Sequence, residues 1–268
     1  MLDAFFLPVE PGQRFCVLHR PPGPPRRTVL YIHPFAEEMN KARRMAALQA
    51  RRLADQGMVV LQLDLYGCGD SSGEFGQARW EIWQRDIEAG MSYLAERFPA
   101  PMTLWGLRLG ALLAAEARHA RVDHLLLWQP VSSGSQFLSQ FLRLRLASEM
   151  LASGAATTAQ RELMQALKAG RPLEIAGYEL HPDLAAAMES RKLESVVPCA
   201  KRIDWIEVVA DRALSLRPAS AKVLDAWRRQ GIDTDAGQVV GEPFWSTIEI
   251  AVCEELLATT SAKMAALQ

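Results

Sequence analysis

Cysteine is scarce, long apolar runs are absent and neither sign of charge dominates. The four cysteines are Cys16, Cys68, Cys199 and Cys253. None forms a CxxC pair and their spacing matches no zinc signature. A disulfide scaffold is therefore not indicated, and reduced thiols of a cytoplasmic protein are expected. No apolar stretch approaches the ~18 residues that a membrane span needs. The start, Met1-Leu2-Asp3-Ala4-Phe5-Phe6, carries an acid and no basic residue, so it makes a poor signal peptide. Lys plus Arg number 30 against 31 Asp plus Glu, a formal net charge of −1. That balance gives no long-range field for nucleic acid or for an anionic membrane. There are five histidines, and none follows His181. Internal repeats, low-complexity tracts and cofactor or metal motifs are missing, so neither cofactor nor metal is expected.

What remains is ordinary globular composition, 49% apolar and 23% charged over 268 residues. This suits one large α/β domain or a core with an inserted cap. Phe15 to Arg20 reads as a short strand, and the proline-rich stretch 21–25 as a stiff connector. Thr28 to Ile32 is a buried strand ending in His33-Pro34-Phe35. A helix from Glu37 to about Gln56 stops at Gly57. Met58 to Leu63, Met102 to Trp105 and His124 to Trp128 are further strands. Helices are expected from Trp80 to about Arg97 and, after Gly106, to about His119. Alternation without hairpin signals argues for a parallel, doubly wound sheet. From Ser132 to about Arg191 the pattern is helical with no convincing strand. The expected organisation is an α/β core over residues 1–131 and 192–268, with a helical cap over 132–191. A strand from Ile203 to Val209, a helix near Ala219 to Gln230, a short strand at Val239-Val240 and a helix from Glu249 to Met264 complete the chain.

Two glycine turns carry the chemistry. Asp64-Leu65-Tyr66-Gly67-Cys68-Gly69-Asp70-Ser71 follows a buried strand, where Gly67 and Gly69 can take positive φ. Gly106-Leu107-Arg108-Leu109-Gly110 lies between a strand and an alanine-rich helix. That is the context of a nucleophile elbow, whose central side chain projects from the top of the sheet beside a helix N-terminus.

These two turns, the run Ile32-His33-Pro34-Phe35-Ala36-Glu37-Glu38-Met39-Asn40-Lys41 and Gly241-Glu242-Pro243-Phe244-Trp245 together resemble the exosortase A system-associated hydrolase 2 family. The resemblance covers about residues 10 to 255. It implies an α/β-hydrolase fold with a mostly parallel central sheet, and relatedness to serine peptidases and esterases. It also implies a context of exopolysaccharide production and protein sorting, with that machinery as a partner.

Hydrolysis on this fold needs nucleophile, acid and base in the order Ser, Asp or Glu, His. The nucleophile position holds Arg108, whose guanidinium has no attacking lone pair. Asp211 is the acid candidate, with Glu207 as alternative. The base position, after Val239-Val240, offers no histidine; Trp245 stands in that stretch. The triad therefore reads as degenerate, as in a pseudoenzyme. A relocated set would draw on His33 or His181, with Ser132, Ser133 or Cys68 as nucleophile.

Arg108 beside a helix N-terminus suits an anion. His33, Glu37, Arg108, Leu109, Asp211 and Trp245 are the ligand-site candidates, and an acidic, acyl or saccharide ligand is the expected class. The competing expectation is an internal pair between Arg108 and Asp211, Glu37 or Glu38. In the cap, Phe137, Phe141 and Leu144 share one helix face and suit a lid. Three functions stay open: a non-catalytic binding or accessory protein, an ester, thioester or peptide hydrolase with a relocated set, and a structural partner of the biosynthetic or sorting machinery.

Overall fold

The computed structural model describes residues 1–153, 160–212 and 215–267. Its central sheet has eight strands: β1 (Leu2–Pro8), β2 (Gln13–His19), β3 (Arg27–Ile32), β4 (Met58–Leu63), β5 (Met102–Leu107), β6 (Val122–Trp128), β9 (Arg202–Val209) and β10 (Asp233–Val240). They lie in the order β1-β2-β4-β3-β5-β6-β9-β10. β2 runs antiparallel to both β1 and β4, and every other pairing is parallel. The parallel strands are buried on both faces, which is why β3 and β5 read as continuous apolar runs.

Alternate residues serve two cores. Leu30 and Ile32 pack on one side with Trp83 and Ile87 of α2 (Trp80–Arg97), Leu112 of α3 (Leu109–Glu116) and Leu224 of α7 (Pro218–Arg229). Val29 and Tyr31 pack on the other with Met45 of α1 (Glu37–Asp55) and Leu257 of α8 (Glu254–Ala265). The period of two along each strand divides the helices between the faces.

The segment between β6 and β9 holds α4 (Gly134–Ser153), α5 (Gln160–Lys168) and α6 (Pro182–Glu189). It also holds a hairpin, β7 (Leu173–Ile175) with β8 (Tyr178–Leu180), where only helix was expected. Three residues per strand are too few to show alternation, and Ala176 and Gly177 at the tip both take positive φ. Three further corrections concern ends. β1 was not anticipated, β10 begins six residues before Val239, and the last helix starts at Glu254 instead of Glu249. Among the described residues no helix is long and apolar enough to cross a membrane, and no cluster of three or more His, Cys, Asp or Glu is placed to hold a metal ion.

Candidate functional site

The elbow is formed where β5 meets α3. Arg108 has φ 56° and ψ −117°, a conformation costly for a residue with a Cβ. The chain tolerates it because both flanking glycines lie against backbone. A Cβ at Gly106 would come 2.5 Å from Ala111 Cα, and one at Gly110 would come 2.2 Å from the Ile32 carbonyl oxygen. The tip is also tied to β6: Arg108 N–H donates to the Trp128 carbonyl at 3.0 Å, and Val131 N–H donates to the Arg108 carbonyl. Opposite, at the entry to α1, Ala36 adopts nearly the same strained angles, φ 51° and ψ −127°. In the earlier turn Gly67 and Gly69 have positive φ, as expected.

Arg108 Nε donates to Glu38 Oε1 at 3.1 Å. Glu38 comes from the first turn of α1, where a carboxylate also meets the positive end of the helix. The pair is partly buried, with Arg108 14% and Glu38 19% exposed. It uses one contact, not the fork of two that a fully engaged guanidinium makes. Glu38 Oε2 is buried and has no hydrogen-bond partner among the described residues. Burial raises the Glu38 pKa, and the neighbouring Arg108 charge opposes that rise.

Two aromatic rings hold the guanidinium. Its Cζ lies 5.6 Å from the centroid of Phe137 in α4 and 5.4 Å from that of Trp245, which follows β10. Each cation–π contact contributes about 0.5–1 kcal/mol at a partly exposed site. The three side chains open on a cavity of about 190 Å³, whose walls include Phe35, Phe141 and Leu144. Phe35 stacks edge-on against both Phe137 and Phe141. Glu37 and Lys41, paired with each other at 3.0 Å, stand at the cavity's polar side. Leu109 contributes the first helical N–H of α3, which has no acceptor within the helix.

Of the sequence candidates, Glu37, Arg108 and Trp245 line this cavity, and Leu109 is adjacent through its backbone. His33 and Asp211 do not line it. His33 Nδ1 faces the Pro34 carbonyl at 2.7 Å, and Nε2 accepts the Leu65 N–H at 3.1 Å. The proton therefore sits on Nδ1, and burial lowers the ring pKa. A residue that bonds backbone through both nitrogens cannot act as a general base toward this cavity. Asp211 is exposed, so the partner of Arg108 is Glu38 alone of the three carboxylates considered. Glu207 is buried and accepts from Ser220 and from Trp205 Nε1, which ties β9 to α7. His181 caps α6 by accepting the Asp183 N–H. Burial pushes the Cys68 thiol far up, so it is held as the poorly nucleophilic thiol. Ser133 bonds Ser135.

Sequence reasoning left Phe35, Lys41, Gln140 and Ser246 out of the site. The spacing 137, 140, 141, 144 is a helical stripe and was open to view. That Phe35 and Ser246 join it depends on tertiary approach.

A parallel sheet in this order, with a strained elbow between strand and helix at its top, defines an α/β-hydrolase fold. Residues 23–203, more than half of the chain, match the serine aminopeptidase family S33, and the chain belongs to that family. No curated protein matches it. Solved structures share the fold at low identity. Est1E from Butyrivibrio proteoclasticus, with ferulic acid bound, superposes with a TM-score of 0.70 at 17% identity, covering 98% of this chain and 96% of that one. A thermostable carboxyl esterase from Bacillus coagulans gives 0.68 at 15%, covering 98% and 97%. Proline iminopeptidase from Mycobacterium smegmatis gives 0.60 at 14%, again covering 98% and 97%.

Proposed function

We propose that this protein is a non-hydrolytic α/β-hydrolase-fold binding protein, and that its elbow site takes a small carboxylate with an apolar tail. One observation carries the reading. The elbow projects a guanidinium, clasped between Phe137 and Trp245, into a cavity with largely apolar walls. A guanidinium cannot form an acyl-enzyme, but it binds a carboxylate through donors that the single Glu38 contact leaves over. The nearby start of α3 adds to that attraction. The apolar walls favour an acyl tail over a saccharide.

Residues 132–191 act as a cap in this reading, because α4 supplies the wall facing the elbow. The triad is degenerate: arginine stands at the nucleophile position and tryptophan after the last strand. Relocated catalysis through His33 is disfavoured by its two backbone hydrogen bonds. We further infer membership of the exosortase A system-associated group and an accessory role in exopolysaccharide or sorting machinery. Three of the segments that resemble that group supply Glu38, Arg108 and Trp245 to one site, which supports the assignment.

The test pairs fluorophosphonate labelling and a short-chain ester assay with thermal melts in hexanoate. The expected result is no labelling, no turnover and a melting temperature raised by hexanoate in wild type but not in Arg108→Ala. Stoichiometric labelling, or turnover abolished by changing one serine, contradicts the reading.

A further inference from the structure

A second cavity, of about 210 Å³, lies between α1 and the β2-β4-β3 part of the sheet, and it shares no lining residue with the elbow cavity. Strand register explains its polar floor. Tyr31 of β3 pairs with Gln62 of β4, which pairs with Val17 of β2. The period of two then places His33, Asp64 and His19 on the same side. Met39, Arg43 and Ala46 of α1 cover them.

Several donors on the lining have no acceptor of their own. Tyr31 is only 5% exposed, yet its hydroxyl makes no hydrogen bond among the described residues. Burial drives its pKa far up, so it remains an O–H donor. The hydroxyl oxygen is not sealed off: it opens onto the cavity, where it is a donor available to a bound molecule. His19 Nε2 lies 3.0 Å from Gln62 Oε1, and burial lowers the His19 pKa. The neutral ring donates through Nε2, which leaves the Gln62 amide N–H groups as further donors on the wall. His33 is committed to backbone. Asp64 accepts from Arg43 Nη2 at 3.1 Å and from the Asp70 N–H at 3.2 Å. Arg51, exposed at the edge, has no ion-pair partner among the described residues. Two guanidinium groups against one carboxylate make the cavity net positive, while Phe15, Val17 and Met39 give it an apolar side.

We propose that this cavity is a second binding site, for a small molecule that carries a carboxylate on a compact apolar body. The carboxylate accepts from the Tyr31 hydroxyl, the Gln62 amide and Arg51, and the body lies against Phe15, Val17 and Met39. The site does not depend on the elbow reading, because Arg108, Glu38 and Trp245 take no part in it.

Methyl NMR of the full chain resolves the two cavities. Benzoate titrated into protein labelled at Met, Ala and Leu methyls should shift Met39, Ala46 and Ala47 saturably. Tyr31→Phe removes one oxygen and should raise the Kd read at those methyls about tenfold, the cost of a lost hydrogen bond to a charged ligand. Arg51→Ala, a surface change that leaves the fold intact, should weaken binding by a similar factor. Inorganic phosphate, which has no apolar body, should bind more weakly than benzoate. The proposal is overturned if millimolar benzoate leaves Met39, Ala46 and Ala47 unshifted, if neither variant changes the Kd, or if phosphate binds more tightly.

Discussion

The molecule contains the same chemical pair in two settings, Arg14–Asp86 and Arg108–Glu38. Arg14 and Asp86 are both 0% exposed. Arg14 Nε donates to Asp86 Oδ1 at 2.7 Å and Nη1 to the Pro11 carbonyl at 2.8 Å, while Asp86 Oδ2 accepts the Tyr66 N–H at 2.7 Å. The Tyr66 ring covers the guanidinium at 4.8 Å. Of the pair's polar atoms only Arg14 Nη2 has no partner among the described residues, and the pair ties β2 and the turn after β4 to α2. Arg108 and Glu38 share a single hydrogen bond, keep one carboxylate oxygen unused and face a cavity. A pair whose atoms are nearly all committed holds elements together. A pair with spare capacity beside a cavity can exchange its partner for a ligand.

The largest difference should appear in stability. Asp86→Ala strands a fully buried guanidinium and should cost about 3–5 kcal/mol, read as a lower urea midpoint. Arg108→Ala should cost less, on the order of 2 kcal/mol, because both partners are partly exposed and water reaches the site. Equal losses would erase the distinction and make Arg108–Glu38 a structural tie. Arg108→Ser should give no measurable ester turnover, since His33, the candidate base, is bonded to backbone through both ring nitrogens. Turnover by that variant would mean that His33 leaves its backbone partners.

The smallest effect concerns pH. The folded pKa of Glu38 is raised by burial, so the folded state binds this proton more readily than the unfolded chain does. Its contribution is most favourable below the ordinary carboxylate range and is lost as pH rises through the raised value. Glu38→Gln should remove that component, so stability measured between pH 4 and 8 should fall less with rising pH than in wild type.

Much of this was legible in sequence because elbows and parallel strands have local signatures. Gly106 and Gly110 mark close backbone approach, and the apolar runs mark strands buried on both faces. The β7–β8 hairpin was missed because it is too short to show a period. Glu38 was visible only as one of three carboxylates. Its selection depends on α1 starting at the elbow's side, while Asp211 in the loop after β9 does not line the cavity. His33 misled because a neutral histidine bonded at both nitrogens looks, in sequence, the same as a free base.

The central claim is that the elbow guanidinium is held in reserve by Glu38 for an external carboxylate. Hexanoate affinity, read at the Leu144 methyls as a function of pH in wild type and Glu38→Gln, tests it most directly. In wild type the affinity should rise as pH falls, because protonation of Glu38 releases Arg108 and removes a competing negative charge. Glu38→Gln should bind about tenfold more tightly at neutral pH, the scale set by one lost like-charge interaction, with little pH dependence. Equal affinities in the two proteins, or no hexanoate response at Leu144 in either, would contradict the account.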